Sequence, residues 1–322
     1  MNKVELLSPA GDFESLVSAV QNGADSVYFG ANKFNARINS TNFEGEELEK
    51  AITYAKLRNV KTHLTVNTLI KNDEFEEAIN VIKSAYEAGI DAVIIQDLGL
   101  AKKVIELFPN IDVHSSTQMT IHNIEGVKSL EELGSKRIVL ARELPIDEIK
   151  NICKNTKAEI EIFVHGALCI SYSGQCLMSS IIGGRSGNRG KCAGTCRLPY
   201  ELIEKTNNKV LEKGYLLSSK DVLTLDILPE LIASGVKAFK IEGRMKSPEY
   251  VGIVTKIYRK YIDLAYSSNQ YIVEELDREM LLQAFNRGEA STGYLKGKLR
   301  KRNDVHKKAK PFGDFNRRGT FI

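Results

Sequence analysis

Residues 13–31 read Phe-Glu-Ser-Leu-Val-Ser-Ala-Val-Gln-Asn-Gly-Ala-Asp-Ser-Val-Tyr-Phe-Gly-Ala. Asp12 opens the amphipathic stretch Phe13–Asn22 as an N-cap, Gly23 closes it, and the apolar run Asp25–Ala31 follows at once. The junction recurs as Ala88-Gly89-Ile90-Asp91, and in varied form as Ser234-Gly235-Val236-Lys237. Glycine at the left-handed position after a helix, followed directly by a strand, is an αβ-loop solution, and its repetition predicts successive βα units. Strands are expected at Val4–Ala10, Asp25–Ala31, Val60–Leu69, Ala92–Asp97, Asp112–Gln118, Arg137–Arg142, Glu159–His165 and Ala238–Glu242. Asp73 and Gly89 bound one intervening helix, and Pro145 sits in the first turn of the next. Eight such strands predict an α/β protein built as a (β/α)8 TIM-like barrel.

The alternation breaks once, between His165 and about Leu216. Four of the five cysteines fall there: Cys169, Cys176, Cys192 and Cys196. Gly183-Gly184-Arg185-Ser186-Gly187-Asn188-Arg189-Gly190 suits neither a helix nor a central strand, so this part is expected to be an irregular loop that wraps something. Beyond the eighth strand, Ser247–Ser267 reads as a long amphipathic helix. The expected organisation is a barrel over 1–267, with a Cys-rich insertion over 166–215, and a C-terminal extension over 268–322 that looks cut short.

With 322 residues, 43% hydrophobic and 27% charged, the chain can bury a large core and carries no signature of disorder. Its first residues hold no secretory h-region and no apolar run reaches the ~20 residues of a spanning helix, so no membrane is implied and a cytoplasmic location is expected. The net charge of +4 hides an asymmetry, because residues 294–318 hold ten Lys or Arg against two Asp. That basic arm suits nucleic-acid phosphates, or is a solvated surface run.

Four clustered thiols in a reducing compartment point to a soft metal centre, zinc or iron–sulfur. Only Cys192-x3-Cys196 is compact, whereas Cys169-x6-Cys176 is wider than a zinc knuckle, and the uneven spacing favours iron–sulfur. Cys153, within the helix expected over Ile146–Asn155, reads as a packed or free thiol. In a (β/α)8 barrel the site gathers at the C-terminal ends of the strands. Those ends offer Asn67, Gln96, Asp97, Ser115 to Gln118, Arg142, Glu143, His165, Glu242 and Arg244, a polar and anion-tolerant mouth. His165 is read as a further ligand, a proton donor or a satisfied buried histidine. Lys240, Glu242 and Arg244 alternate and so share one side; Arg244 is suited to clamp a carboxylate or phosphate, with Glu242 as its partner or as a base. The histidines form no His-Glu-x-x-His, and neither a Gly-x-Ser-x-Gly elbow nor a Gly-x4-Gly-Lys-Ser/Thr loop occurs.

The run Glu161-Ile162-Phe163-Val164-His165-Gly166-Ala167-Leu168-Cys169-Ile170-Ser171-Tyr172-Ser173-Gly174-Gln175-Cys176 resembles the signature of the U32 family, historically named as peptidases or collagenase-like proteases. The likeness extends to Leu7–Asp12, Arg185–Cys196, Ser219–Asp221 and Lys240–Ser247, roughly residues 4–265. It implies a four-cysteine iron–sulfur cluster of the 4Fe-4S kind on Cys169, Cys176, Cys192 and Cys196, while His165, Glu242 and Arg244 are expected as catalytic residues from their places at the strand ends. The same strand-end reading makes Asn67, Gln118, Arg142 and Lys240 the expected substrate-binding residues, with Arg185 joining them as a partner for a carboxylate. The activity implied is oxygen-independent hydroxylation: of a tRNA wobble uridine to 5-hydroxyuridine, of a ribosomal cytidine, or of ubiquinone precursors, with prephenate as co-substrate. The layout is most similar to the tRNA branch, so tRNA is the expected partner, beside a U32 paralogue or a second copy. Relatives in that branch continue into a small β-rich domain. The alternatives are a peptidase and a non-catalytic, cluster-bearing partner subunit.

Overall fold

The computed structural model describes residues 3–38, 40–268, 270–287 and 290–297. Seven parallel strands, β1 (Glu5–Pro9), β2 (Ser26–Gly30), β3 (Lys61–Val66), β4 (Ala92–Ile95), β5 (Asp112–Ser115), β6 (Arg137–Val139) and β7 (Glu159–Gly166), pair in chain order. Next in sequence come β8 (Tyr200–Glu204), β9 (Lys209–Gly214), β10 (Asp221–Leu223) and β11 (Ala238–Ile241). β11 pairs in parallel with β1 through Leu6↔Phe239 and with β7 through Phe239↔Ile162, which closes an eight-stranded barrel. All eight expected strands therefore form. Between them lie α1 (Phe13–Gln21), α2 (Gly45–Lys56), α3 (Phe75–Glu87), α4 (Leu98–Leu107), α5 (Ile124–Leu133) and α6 (Ile146–Lys154).

The repeated junction has a physical role at each residue. Gly23 and Gly89 take φ of +91° and +86°, which a side chain would strain. The aspartate two residues on then ties its strand to the preceding one. Asp25 accepts from Leu6 N–H at 2.7 Å, and Asp91 accepts from Thr62 N–H at 2.8 Å. Asp12 and Asp97 cap α1 and α4, accepting from Ser15 N–H at 2.7 Å and Leu100 N–H at 2.9 Å.

Two layers of packing result. The main hydrophobic core lies between the outward strand faces, such as Leu6, Val27, Leu64, Val93 and Ile162, and the surrounding helices. Inside the barrel, Leu7, Tyr28 and Ile94 form a separate small apolar plug. Below it Arg137 binds Glu5 with both ends of its fork, at 2.7 and 2.9 Å, and also Glu159 at 2.7 Å. Lys240 Nζ joins this network through Glu161 at 2.8 Å. Burial raises the Glu5 carboxyl, but the bonds and charge of Arg137 outweigh it and bring its pKa to about 2.

The segment after β7 departs from the expected irregular loop. It contains a short helix, α7 (Met178–Gly183), so the Gly-rich run begins as a helix end. It ends in the antiparallel hairpin β8–β9, whose two strands are exposed along almost their whole length. The hairpin turn carries Asn208 at φ +56°, and residues 207–208 hold the turn signal. β10 returns antiparallel along the end of β7, at Val222↔Gly166, and α8 (Leu228–Ala233) follows it. The helix α9 (Pro248–Ser267), capped by Ser247, covers α1, and α10 (Glu275–Ala284) packs on it. A last strand, β12 (Ala290–Ser291), pairs with β10. Most of the basic arm, residues 298–318, lies outside the described residues.

Candidate functional site

The loops after the strands enclose a cavity of about 330 Å³ at the C-terminal mouth of the barrel. Cys169, Cys176, Cys192 and Cys196 all line it, together with Asn67, Gln118, Arg142, Lys240, Glu242 and Arg244. Residues from the five junctions after β2, β3, β5, β6 and β11 thus converge with the thiol segment that follows β7, because the parallel barrel brings every strand end to one face. His165 and Arg185 are placed apart from it. The His165 ring is 5% exposed, packs edge-on to Tyr258 with centroids 5.3 Å apart, and holds Nδ1 3.3 Å from the Tyr258 hydroxyl. Burial brings its pKa to about 3, so the imidazole is neutral at pH 7. Arg185 is exposed and lies outside the cavity lining.

The thiol segment is clamped onto the barrel by polar contacts. Thr120 Oγ1 donates to the Ser173 carbonyl at 2.6 Å, and Gln175 Nε2 donates to Thr120 Oγ1 at 2.7 Å. Gly174 sits at φ +77°, where a Cβ would come within 2.8 Å of Gln118 Cα, so the chain passes directly over that glutamine. Arg197 donates to Ser218 Oγ at 2.9 Å and to the Ser219 carbonyl at 2.7 Å. All four thiols are free, with Cys192 exposed and the others half-buried. Burial pushes the Cys196 thiol up, Arg197 opposes this, and the neighbouring thiols of Cys169, Cys192 and Cys176 add to it. Such a sulfur becomes a thiolate when a metal binds it. Four free thiols around one cavity are a soft donor set that fits an iron–sulfur cluster or zinc, although among the described residues no three Cys, His, Asp or Glu side chains are gathered as around a single ion. Cys153 stands elsewhere, half-buried in α6, and burial raises it to about 11.

The cavity is strongly cationic. Arg37, Arg142, Arg197, Lys240, Arg244 and Arg287 line it, against the single carboxylate of Glu242. Burial would raise the Glu242 carboxyl, but Arg37, 2.8 Å away, with Arg244 and Arg142, holds it below the usual range. Glu242 is therefore ionised and paired. Lys240 is committed to Glu161, and Arg287 pairs with Asp221 at 2.9 Å. Arg142 Nε donates to Ser173 Oγ at 3.1 Å.

Arg244 differs from these. It is 4% exposed, and its guanidinium donates to Thr65 Oγ1 at 2.5 Å and Asn35 Oδ1 at 3.4 Å. No carboxylate among the described residues forms an ion pair with it, and desolvation brings its pKa to about 10. A buried guanidinium held only by neutral groups is arranged for an incoming anion. Arg37, Tyr28 and Thr65 were missed from sequence. Thr65 stands at the end of β3, where the strand-end rule points, whereas Tyr28 lies in the middle of β2 and Arg37 in the loop that follows it. Arg287 had no such signal, since it reaches the site from beyond α10.

A model of peptidase family U32 matches residues 11–304. The 23S rRNA 5-hydroxycytidine synthase of Escherichia coli is 43% identical over 262 residues, covering 81% of this chain and 40% of that protein. The tRNA hydroxylation protein P of Helicobacter pylori is 36% identical over 338 residues, covering 99% of this chain and 78% of that one. A collagenase of Porphyromonas gingivalis is 38% identical over 315 residues, covering 93% and 75%. This chain therefore spans 40% of the length of the ribosomal RNA enzyme and about three quarters of the other two.

Proposed function

Since the chain belongs to peptidase family U32, we propose that it is an RNA-hydroxylating enzyme whose four cysteines hold a 4Fe-4S cluster and whose substrate is a tRNA wobble uridine, converted to 5-hydroxyuridine. The observation that carries this reading is the placement of all four thiols on the same cavity as the buried guanidinium of Arg244, which pairs with no carboxylate among the described residues. The names of the relatives at 43% and 36% identity support RNA as the substrate class, whereas the name of the relative at 38% goes with the peptidase alternative. When bound, a cluster on Cys169, Cys176, Cys192 and Cys196 supplies a Lewis-acidic or redox centre. The remaining chemistry belongs to the chain. Arg244 binds one carboxylate of prephenate, the proposed co-substrate and hydroxyl source, with Arg142 near the second. Arg37 keeps Glu242 ionised, so Glu242 serves as an acceptor of protons or hydrogen bonds and not as an acid.

The deciding experiment is anaerobic purification with iron and sulfide analysis, followed by nucleoside mass spectrometry of tRNA incubated with the protein with and without prephenate. Prephenate-dependent 5-hydroxyuridine is expected, together with loss of iron in each Cys→Ala variant. A protein that holds iron but hydroxylates no RNA and instead cleaves gelatin, with cleavage abolished by a cavity substitution, would establish the peptidase reading. Arg244→Lys keeps the charge but loses the fork, and is expected to raise the KM for prephenate about 10-fold or more with the cluster retained.

A further inference from the structure

The geometry points to the side-chain amides of Asn67 and Gln118 as the pair that reads the base, taking the O4 and N3–H edge of a uracil turned out of its strand. This rests on the RNA reading above and adds which atoms recognise the substrate.

The orientation of both amides is dictated by backbone groups that have only one role. The Ala36 N–H can only donate, and it donates to Asn67 Oδ1 at 3.0 Å. Asn67 Nδ2 is therefore the free end, with two hydrogens and no partner among the described residues. The Asn67 carbonyl can only accept, and it accepts from Gln118 Nε2. The second hydrogen of that nitrogen goes to Gln96 Oε1 at 3.3 Å. Gln118 Nε2 is fully used, and Gln118 Oε1 has no partner among the described residues. Gln96 is itself held, because its Nε2 donates to the Gln118 carbonyl at 3.4 Å.

Both residues line the cavity, and between them they leave one donor and one acceptor without a partner among the described residues. Uracil presents the complement: O4 accepts from Asn67 Nδ2 while N3–H donates to Gln118 Oε1. Cytosine offers the same two roles in reversed order, and meets the pair only with the base turned over. Enzymes that act on an extruded base read it through this edge. Gly174 of the thiol segment passes over the backbone and Cβ of Gln118, and the four cysteines line the same cavity, so the proposed recognition and the proposed cluster share one site.

The test is equilibrium binding, by fluorescence anisotropy, of the anaerobically purified full chain to an oligoadenylate RNA with one central uridine. The comparison RNA carries 3-methyluridine there, which has no N3 hydrogen. Wild type is expected to bind the methylated RNA about 10-fold more weakly, since a site built to accept an N–H is left unpaired by its loss. In Gln118→Leu that ratio should fall to about one. Equal binding of both RNAs by wild type, or an unchanged ratio in the variant, overturns the assignment. Should Gln118→Leu fail to fold, Asn67→Asp decides. It keeps the oxygen that the Ala36 N–H binds but turns the free donor into an acceptor, and should lower the preference for uridine over cytidine about 10-fold; an unchanged preference overturns the assignment. Discrimination by a protein that forms no hydroxylated product sinks the RNA-hydroxylase reading alone, and product without discrimination sinks the base-reading pair alone.

Discussion

His165 shows how far a single position is legible. Its place at the end of β7 beside the cysteines is visible in the sequence, but the direction of its ring is not. The bulge between Lys240 and Ile241 on the partner strand shifts the register there, and the ring packs against Tyr258 and Tyr250, outside the cavity. The expected consequence of His165→Asn is structural. Replacing a buried aromatic contact should cost about 1–3 kcal/mol, read as a lowered thermal midpoint, while the iron content and the rate per cluster stay within about two-fold of wild type. A large fall in rate with an unchanged midpoint would instead make His165 a participant in the reaction. Arg244 is the opposite case, where the alternation of Lys240, Glu242 and Arg244 correctly put three charges on one side. The sequence could not say that Lys240 would be taken by Glu161, Glu242 by Arg37, and Arg244 by no carboxylate among the described residues.

At the scale of elements, the helix–Gly–Ala–Asp–strand phrase was readable because both its glycine and its aspartate answer to local backbone demands. The β8–β9 hairpin was not read, although residues 207–208 announce a turn, because a Cys- and Gly-rich surrounding masked the alternation. The hairpin leaves Leu202, Ile203, Val210 and Leu211 each about half exposed and adds little apolar burial to the barrel. Isolated hairpins are marginal on their own. Replacing residues 201–213 with a short Gly-Ser linker is therefore expected to leave the barrel's cooperative unfolding within a few degrees of wild type, measured by circular dichroism. A collapse of the transition would show that the hairpin supports the thiol segment that precedes it.

For the whole molecule, the barrel interior decides how stability depends on pH. His63, His114 and His165 are buried, and burial lowers each imidazole, His63 and His165 to about 3. The unfolded chain binds protons near the ordinary histidine value of about 6.5, so it takes them up where the folded state does not. Stability is full above about pH 6.5 and falls as the pH drops towards 3, with a slope approaching about 1.4 kcal/mol per pH unit for each histidine. Glu5, held at about 2 by Arg137 against the upward push of burial, adds a second loss between about 4.5 and 2. Urea unfolding at pH 7 and pH 5 should show this fall, and His63→Phe should lessen it by about a third; a stability that stays level across that interval would contradict the buried, neutral assignment. The neighbouring Arg137 network predicts a further effect, since Arg137→Met leaves Glu5 and Glu161 without their shared cation and should cost about 3–5 kcal/mol. Periodicity, capping residues and the clustered cysteines are local properties, written in neighbouring residues, and from them the sequence alone determined the eight strands, the barrel and the identity of the four thiols. Pairing and orientation depend on which distant side chains meet across the barrel. Only the tertiary structure could decide that Arg37 meets Glu242, that Arg244 lines the cavity with no carboxylate among the described residues paired to it, and that Asn67 and Gln118 each have one end of the amide held by a backbone group.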